Sequence, residues 1–234
     1  KQESRFKARK IGAAYISRNV GDHLANSLAT KDRDWSPLIY CWRGGQRSSS
    51  LSLILSEVGW RPTILKKGYK NYRRNAVRFL ETFNIKYKVI LISGNTGTGK
   101  TELLEKLASF GLQTVNLEKL AKHRGSIFGK LKSPQPSQKL FESLIFFNIQ
   151  KFDPSEPIIM EAESNKIGAI SIPAGLWNCM KQAPRIELIA SAKERSKYLV
   201  KAYCDLTENL DDLRNKLNLL IKLIFFLQII FFIL

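Results

Sequence analysis

Val89-Ile90-Leu91-Ile92-Ser93-Gly94-Asn95-Thr96-Gly97-Thr98-Gly99-Lys100-Thr101 is an apolar run that flows into a glycine-rich loop closed by Lys-Thr. Four consecutive apolar residues predict a strand covered on both faces, as in a parallel sheet. The loop spaces its residues as G-x-x-x-x-G-K-T, which lets backbone N–H groups curl around an oxyanion where a Cβ would block the approach. Gly94, Gly97 and Gly99 form the curl, Lys100 adds a point charge, and the helix that starts here offers its positive end. The Thr101 hydroxyl is placed to meet a Mg²⁺ ion. Leu103, Leu104 and Leu107 fall on one side of that helix, and Gly111 closes it. Strand, phosphate loop and helix in this order predict an α/β domain that binds a phosphorylated or diphosphorylated ligand.

Downstream, further strands are expected at Gln113–Leu117, Ile158–Met160 and Ile186–Ile189, with helices near 138–150 and 193–203. That alternation predicts a P-loop NTPase-like, parallel-sheet domain over residues 88–205. Ile158-Ile159-Met160-Glu161 is an apolar strand ending in a carboxylate, with Glu163 next on the same face, and either acid could hold a metal or a water. A surface carboxylate at a strand end is the plainer alternative. The loop motif specifies a diphosphate and leaves the attached group open. Residues 206–234 break the pattern: fifteen of the eighteen residues from Leu217 to Leu234 are apolar, the exceptions being Asn218, Lys222 and Gln228. This is shorter than the roughly 20 apolar residues a spanning helix needs, so an apolar helical tail, truncated or aberrant, is expected in preference to a membrane anchor.

Upstream, residues 1–84 also alternate. A basic, helix-compatible segment runs from Arg5 to Leu28, and Pro37-Leu38-Ile39-Tyr40 is a short buried strand ending at Cys41. The loop Trp42-Arg43-Gly44-Gly45-Gln46-Arg47 follows. After the serines, Leu51, Ile54, Leu55 and Val58 mark a helical stripe that Gly59 stops, and Thr63-Ile64-Leu65 is a further strand. A thiol at a strand end, beside two glycines and the guanidinium groups of Arg43 and Arg47, is set up to ionise. The Cys41–Arg47 spacing fits two chemistries. It is the C-x5-R pattern of protein tyrosine phosphatases, in which a thiolate attacks phosphorus, and it also fits a rhodanese-type loop, in which the sulfur carries a chalcogen. Tyr40 stands where those phosphatases usually have His, and Gly59–Tyr69 resembles the closing strand and turn of rhodanese domains, which favours the second.

The chain has 234 residues and a formal charge of +18. Residues 1–20 carry +5, residues 60–88 carry +8 and residues 118–139 carry +5, so the remainder is neutral. Charge gathered in three segments predicts a polyanionic partner, since phosphate contacts release counterions. Cys41, Cys179 and Cys204 form an odd set without metal-like spacing, which points to a reducing, cytoplasmic setting and not a disulfide framework. The N-terminus is polar and basic, unlike a signal peptide, and the missing initiator Met implies that residues precede Lys1.

Tyr40-Cys41-Trp42-Arg43-Gly44-Gly45-Gln46-Arg47-Ser48 resembles the active loop of tRNA 2-selenouridine synthases, in which a rhodanese-like domain is fused to a P-loop domain. Leu117-Glu118-Lys119-Leu120-Ala121-Lys122-His123-Arg124-Gly125-Ser126-Ile127-Phe128-Gly129 is similar to that family's segment after the P-loop helix. Gln135-Pro136-Ser137-Gln138 and Glu161-Ala162-Glu163-Ser164-Asn165-Lys166-Ile167-Gly168 continue the likeness in order, over about residues 5–205. The resemblance implies conversion of 2-thiouridine to 2-selenouridine at the tRNA wobble position, by S-geranylation from geranyl diphosphate and then displacement with selenophosphate. It implies Cys41 as the selenium-carrying nucleophile, a selanyl-cysteine in the intermediate, and tRNA as the partner of the basic segments. Lys100, Thr101 and the loop glycines would hold the diphosphate of geranyl diphosphate, with a nucleotide as the rival occupant. His123 and Arg124 would contact substrate or tRNA phosphate, or else cap a helix end. No cofactor is implied with certainty, nor is a metal beyond a candidate Mg²⁺.

Three departures from the family are expected to matter. The first half of a rhodanese domain is missing, Asn116 replaces an expected Asp, and the apolar tail stands in place of a helical C-terminal region. The chain thus reads as a fragment. Two other readings compete with a tRNA-modifying transferase: a P-loop kinase or NTPase with a sulfurtransferase- or phosphatase-like cysteine loop, and a non-catalytic RNA-binding remnant.

Overall fold

The computed structural model describes residues 4–126 and 128–204, together with Arg214 and Asn218. The apolar tail expected over 206–234 lies outside the described residues, those two positions apart. The chain divides into two compact units, Lys1–Asn75 and Ala76–Leu234.

In the first unit, Ser4 caps α1 (Arg5–Ala25) by accepting from the Lys7 amide. Strand β1 (Leu38–Ile39) pairs in parallel with β2 (Thr63–Ile64), with Ile39 opposite Ile64. Helix α2 (Gln46–Val58) connects them. It starts earlier than the apolar stripe from Leu51 suggests, because Gly45 is an extended N-cap whose carbonyl accepts from the Ser49 amide and from the Ser48 and Ser49 hydroxyls. The serines that read as a spacer therefore form the first turn. Gly59 ends the helix in the left-handed region, as expected. Trp60 donates from its indole N–H to the Asp32 carbonyl and packs edge-on against Trp35, tying the chain after α1 to the end of α2. Val20, Ile39 and Leu55 are the unit's buried apolar residues, so its core is small. Helix α3 (Gly68–Glu81) follows.

The second unit takes Ala76 and Leu80 of α3 into its core, followed by α4 (Phe83–Lys86). Its elements then run β3 (Val89–Ser93), α5 (Lys100–Ser109), β4 (Thr114–Val115), α6 (Leu117–Ala121) and α7 (Gln138–Ile149). After these come β5 (Ile158–Glu161), the hairpin β6 (Lys166–Ile167) with β7 (Ile170–Ser171), α8 (Ala174–Gln182), β8 (Arg185–Glu187) and α9 (Ala192–Ala202). The main sheet is four-stranded and wholly parallel in the order β4-β5-β3-β8. From β3 the chain turns first toward β4 and β5, then crosses to β8 on the other side. The reversal of direction falls at β3, and ligands of open parallel sheets bind beyond strand C-termini at such a point. Phe141, Ile145 and Ile149 of α7 cover the sheet, with Val89, Leu91, Ile158 and Met160 beneath, all buried.

The strand expected over Gln113–Leu117 is only Thr114–Val115. Asn116 ends it by accepting from the Lys119 amide at 2.6 Å, which starts α6. Helix α8 was not among the elements expected from the sequence. Gly175 is required there because a Cβ would strike the Leu80 carbonyl oxygen and lie 2.5 Å from that of Glu81. The hairpin β6–β7 is held through the side chains of Gln135 and Gln138. Each amide group both donates to and accepts from the hairpin backbone.

Candidate functional site

The second unit's site begins where β3 ends. Gly94, Gly97 and Gly99 have φ values of 145°, 89° and 78°, a run of positive φ that turns the backbone around a hollow. Gly97 cannot carry a side chain, because its Cβ would sit 3.0 Å from both the Arg195 carbonyl oxygen and Leu199 Cγ of α9. Lys100 opens α5 and folds back so that Nζ donates to the Gly94 carbonyl at 2.8 Å, spanning the loop mouth. An oxyanion in the hollow would meet that ammonium, the loop amides and the α5 N-terminus together.

Around the hollow lies a cavity of about 420 Å³, lined by the loop, Lys100, Thr101, Glu118, Arg124, Glu163 and the inner side of α9. Helix α9 roofs it with Tyr198, Leu199, Ala202 and the adjoining Tyr203. Three contacts hold this roof: Arg195 Nε donates to the Thr96 carbonyl at 3.1 Å, Ser126 and Tyr203 share a hydroxyl hydrogen bond at 3.0 Å, and the Arg124 guanidinium lies 4.7 Å above the Tyr203 ring. One end of the cavity is thus cationic and amide-lined, and its roof is apolar and aromatic.

Three carboxylates gather at the floor. Glu161, at the end of β5, is 2% exposed, and its Oε1 accepts from the Glu118 amide at 2.8 Å. Glu118 and Glu163 converge over Gly125, whose Cβ would meet both. Burial is the main cause that raises Glu161 to about 7 and Glu163 to about 8, with the neighbouring carboxylates adding to it. Glu118 is raised as well, again by burial, against the pull of Lys100 and Arg124. Carboxyls gathered this closely disfavour each other's ionisation. Among the described residues no group of three His, Cys, Asp or Glu side chains is arranged to hold a metal by itself.

Arg124 lines the cavity over Lys100, whereas His123 lines a neighbouring one with Thr101, Glu118, Arg124 and Leu131. The His123 ring packs against Gly129 and Gly168 with Nδ1 unpartnered, and burial lowers its pKa. Glu118, Tyr198 and Tyr203 were not singled out from the sequence as site residues. A lone Glu in a basic segment and two Tyr on a charged helix carry no local signal of shared location.

The first unit's site surrounds Cys41. Two of the loop's carbonyls turn toward α3: Cys41 O accepts from the Tyr69 amide at 3.0 Å and Trp42 O from the Lys70 amide at 2.9 Å, satisfying its first turn. This needs a glycine at 68, because a Cβ there would strike the Cys41 carbonyl and the Gly44 amide. Cys41 Sγ instead faces the start of α2, where the Gly45 N–H donates to it at 3.2 Å and the Ser48 hydroxyl lies 3.3 Å away. The Ser48 contact is the largest influence and lowers the Cys41 thiol to about 6; burial opposes it, and the backbone N–H groups of Gly45, Ser48 and Arg43 add to the lowering. The sulfur is therefore largely thiolate at neutral pH. Arg43, Arg47 and Ile16 line the same open cavity of about 410 Å³.

A parallel sheet with a glycine loop at its switch point, a lysine opening the next helix and an acid ending the neighbouring strand define an α/β phosphate-binding domain of P-loop type. Residues 87–217, more than half of the chain, match the family described as the tRNA 2-selenouridine synthase AAA domain, and the chain belongs to that family. A tRNA 2-selenouridine synthase of Sulfurovum sp. (strain NBC37-1) is 35% identical over 213 residues, covering 87% of this chain and 57% of that protein. One from Bdellovibrio bacteriovorus is 37% identical over 181 residues, covering 71% of this chain and 47% of that protein. Another, from Shewanella denitrificans, is 32% identical over 208 residues, covering 88% and 56%. The chain spans about half the length of the curated relatives it matches. Among the described residues no helix is long and apolar enough to cross a membrane.

Proposed function

We propose that the chain is the working part of a tRNA wobble-uridine transferase that converts 2-thiouridine to 2-selenouridine through an S-geranylated intermediate, using geranyl diphosphate and selenophosphate. The observation that carries this is the two-ended cavity of the second unit, in which a diphosphate cradle adjoins an apolar roof. Geranyl diphosphate has that same division, with a dense anion at one end and a hydrocarbon chain at the other.

In the first step the thiouridine sulfur attacks the allylic carbon bearing the diphosphate. The C–O bond breaks, its electron pair leaves with the diphosphate, and the base loses its N3 proton. Lys100, the loop amides and the α5 N-terminus stabilise the departing charge. The Glu118–Glu163 pair is the acceptor for the proton. The Thr101 hydroxyl would help hold a Mg²⁺ that neutralises diphosphate charge, with the substrate phosphates as its main ligands. In the second step selenium from selenophosphate attacks C2 of the base, the C2–S bond breaks and geranyl thiolate leaves with the electron pair, with Cys41, Arg43 and Arg47 of a rhodanese-like first unit as the residues on which selenium delivery depends. Arg124 and the exposed lysines and arginines of segments 1–20, 60–88 and 118–139 contact tRNA phosphates.

Mass spectrometry of tRNA nucleosides after incubation with the chain and both substrates tests the reading. S-geranyl-2-thiouridine and then 2-selenouridine are expected. ATP or GTP turnover without tRNA, and no modified nucleoside, would replace it with an NTPase.

A further inference from the structure

We propose that Tyr40, Trp42, Tyr69 and Tyr72 form a stacking platform for unpaired RNA bases, which holds the nucleotides beside the target uridine at the mouth of the Cys41 cavity. The platform rests on the proposed function only for the identity of that RNA as tRNA.

Two elements of the first unit supply the rings. Tyr40 and Trp42 flank Cys41 just beyond β1, and Tyr69 and Tyr72 lie at the start of α3. Tyr69 is the hub. Its ring centroid lies 6.3 Å from that of Tyr40, 5.7 Å from that of Trp42 and 6.0 Å from that of Tyr72, with planes inclined by 29°, 40° and 32°. Tyr40 is nevertheless 57% exposed and Trp42 49%, so this cluster is not a core. Its position relative to the cysteine loop is fixed by backbone. The Tyr69 and Lys70 amides donate to Cys41 O and Trp42 O, and Gly44 and Gly68 approach so closely that a Cβ on either would strike the other. Trp42 also lines the cavity that contains Cys41, Arg43 and Arg47. A base stacked on Trp42 therefore lies next to that cavity.

Charge decides what covers the rings. Lys66, Lys67, Lys70, Arg73 and Arg74 interleave with Tyr69 and Tyr72, and no acid falls between Lys66 and Arg74. Lys66, Lys67, Lys70 and Arg74 are exposed. An apolar protein surface laid over the rings would desolvate these cations without pairing them. RNA supplies both complements, a π-face for the rings and phosphates for the cations. Loop nucleotides suit the platform better than a duplex, because only unpaired bases can splay onto aromatic side chains. Rings already packed on one another lose little freedom when a base arrives, which favours binding.

The test uses the full chain and a short RNA hairpin whose unpaired loop carries 5-iodouridine, with neither small substrate present. Irradiation and peptide mapping should place the crosslink on one or more of the four rings in the wild-type chain. Fluorescence anisotropy should show the hairpin binding about tenfold more weakly to Trp42→Ala and to Tyr40→Ala, as for loss of one stacked base, and within about twofold of wild type to Trp42→Phe. The dependence of log affinity on log salt should be unchanged in these variants, whereas Lys70→Ala should lower its slope by about one. A purely electrostatic surface would give the second effect without the first. The wild-type crosslink involves no substitution, so it decides the case even where a variant misfolds. Crosslinks confined to other residues, equal competition by an RNA duplex, or wild-type affinity in Trp42→Ala each overturn the platform. So does loss of self-association in Trp42→Ala with RNA binding intact, which would make the patch a contact between copies of the chain. Conversion of 2-thiouridine is scored separately, so the proposed function can fail while loop RNA still binds the rings, and the rings can fail while conversion survives.

Discussion

The two units use the same device, backbone amides at the start of a helix, with opposite effects on the nearby acids. In the first, the Cys41 thiol lies in an open cavity at the start of α2, so its hydrogen bonds dominate and it ionises more readily. In the second, Glu161 and Glu163 sit beneath the phosphate loop, so burial dominates and both hold protons into the neutral range. The sign of each shift follows from whether hydrogen bonding or desolvation is the larger effect at that group. The exposed site thus favours a thiolate, and the buried one keeps its net charge low.

The comparison is tested most severely by separating the two activities. Cys41→Ser should lower selenation by roughly a thousandfold or more while leaving geranylation intact, as expected for loss of a nucleophile. Nucleoside mass spectrometry that shows both products falling together would break the division of labour. Lys100→Ala should reduce affinity for inorganic diphosphate by about a hundredfold, since a charged donor is lost from the cradle. Calorimetric titration checks this, and unchanged affinity would remove the loop from the reaction.

Next in size are the acid shifts. Alkylation of Cys41 should rise with pH around a midpoint near 6, and Ser48→Ala should move the midpoint up; peptide mapping against Cys179, whose thiol burial raises, reads both. The carboxylates give the opposite trend. Their folded pKa values exceed the unfolded ones, so the folded state binds protons that the unfolded chain has lost. Stability is greatest in acid and falls as pH rises through about 7 to 8. The melting temperature should therefore decline from about pH 5 to about pH 9, and Glu163→Gln should flatten the decline. Asn116→Asp should have the smallest effect. Asp keeps the cap to the Lys119 amide and removes the buried, unpartnered Nδ2, so chemical denaturation should show a change under about 1 kcal/mol.

Much of this was legible before any coordinates. Val89–Thr101 implied a strand, a loop and a helix because residue spacing and glycine positions act locally. Gly45, Arg43 and Arg47 marked the Cys41 loop for the same reason. Helix α8 was hidden because Gly175 is there to let two backbones touch, a requirement set by a distant helix end. The role of Ser48 was hidden because its hydroxyl belongs to a first helical turn that the apolar stripe does not reveal.

What the chain's order of residues determined alone is local: an anion cradle at Gly94–Thr101, an activated cysteine loop, and charge gathered in three segments. Tertiary structure decided what each cradle is next to. It brought Glu118 against Glu163, 45 positions apart in the sequence, and set Tyr198 and Leu199 over a loop a hundred residues earlier. A local pattern specifies backbone conformation, but proton affinity and ligand shape depend on desolvation and neighbours that only the packed sheet supplies.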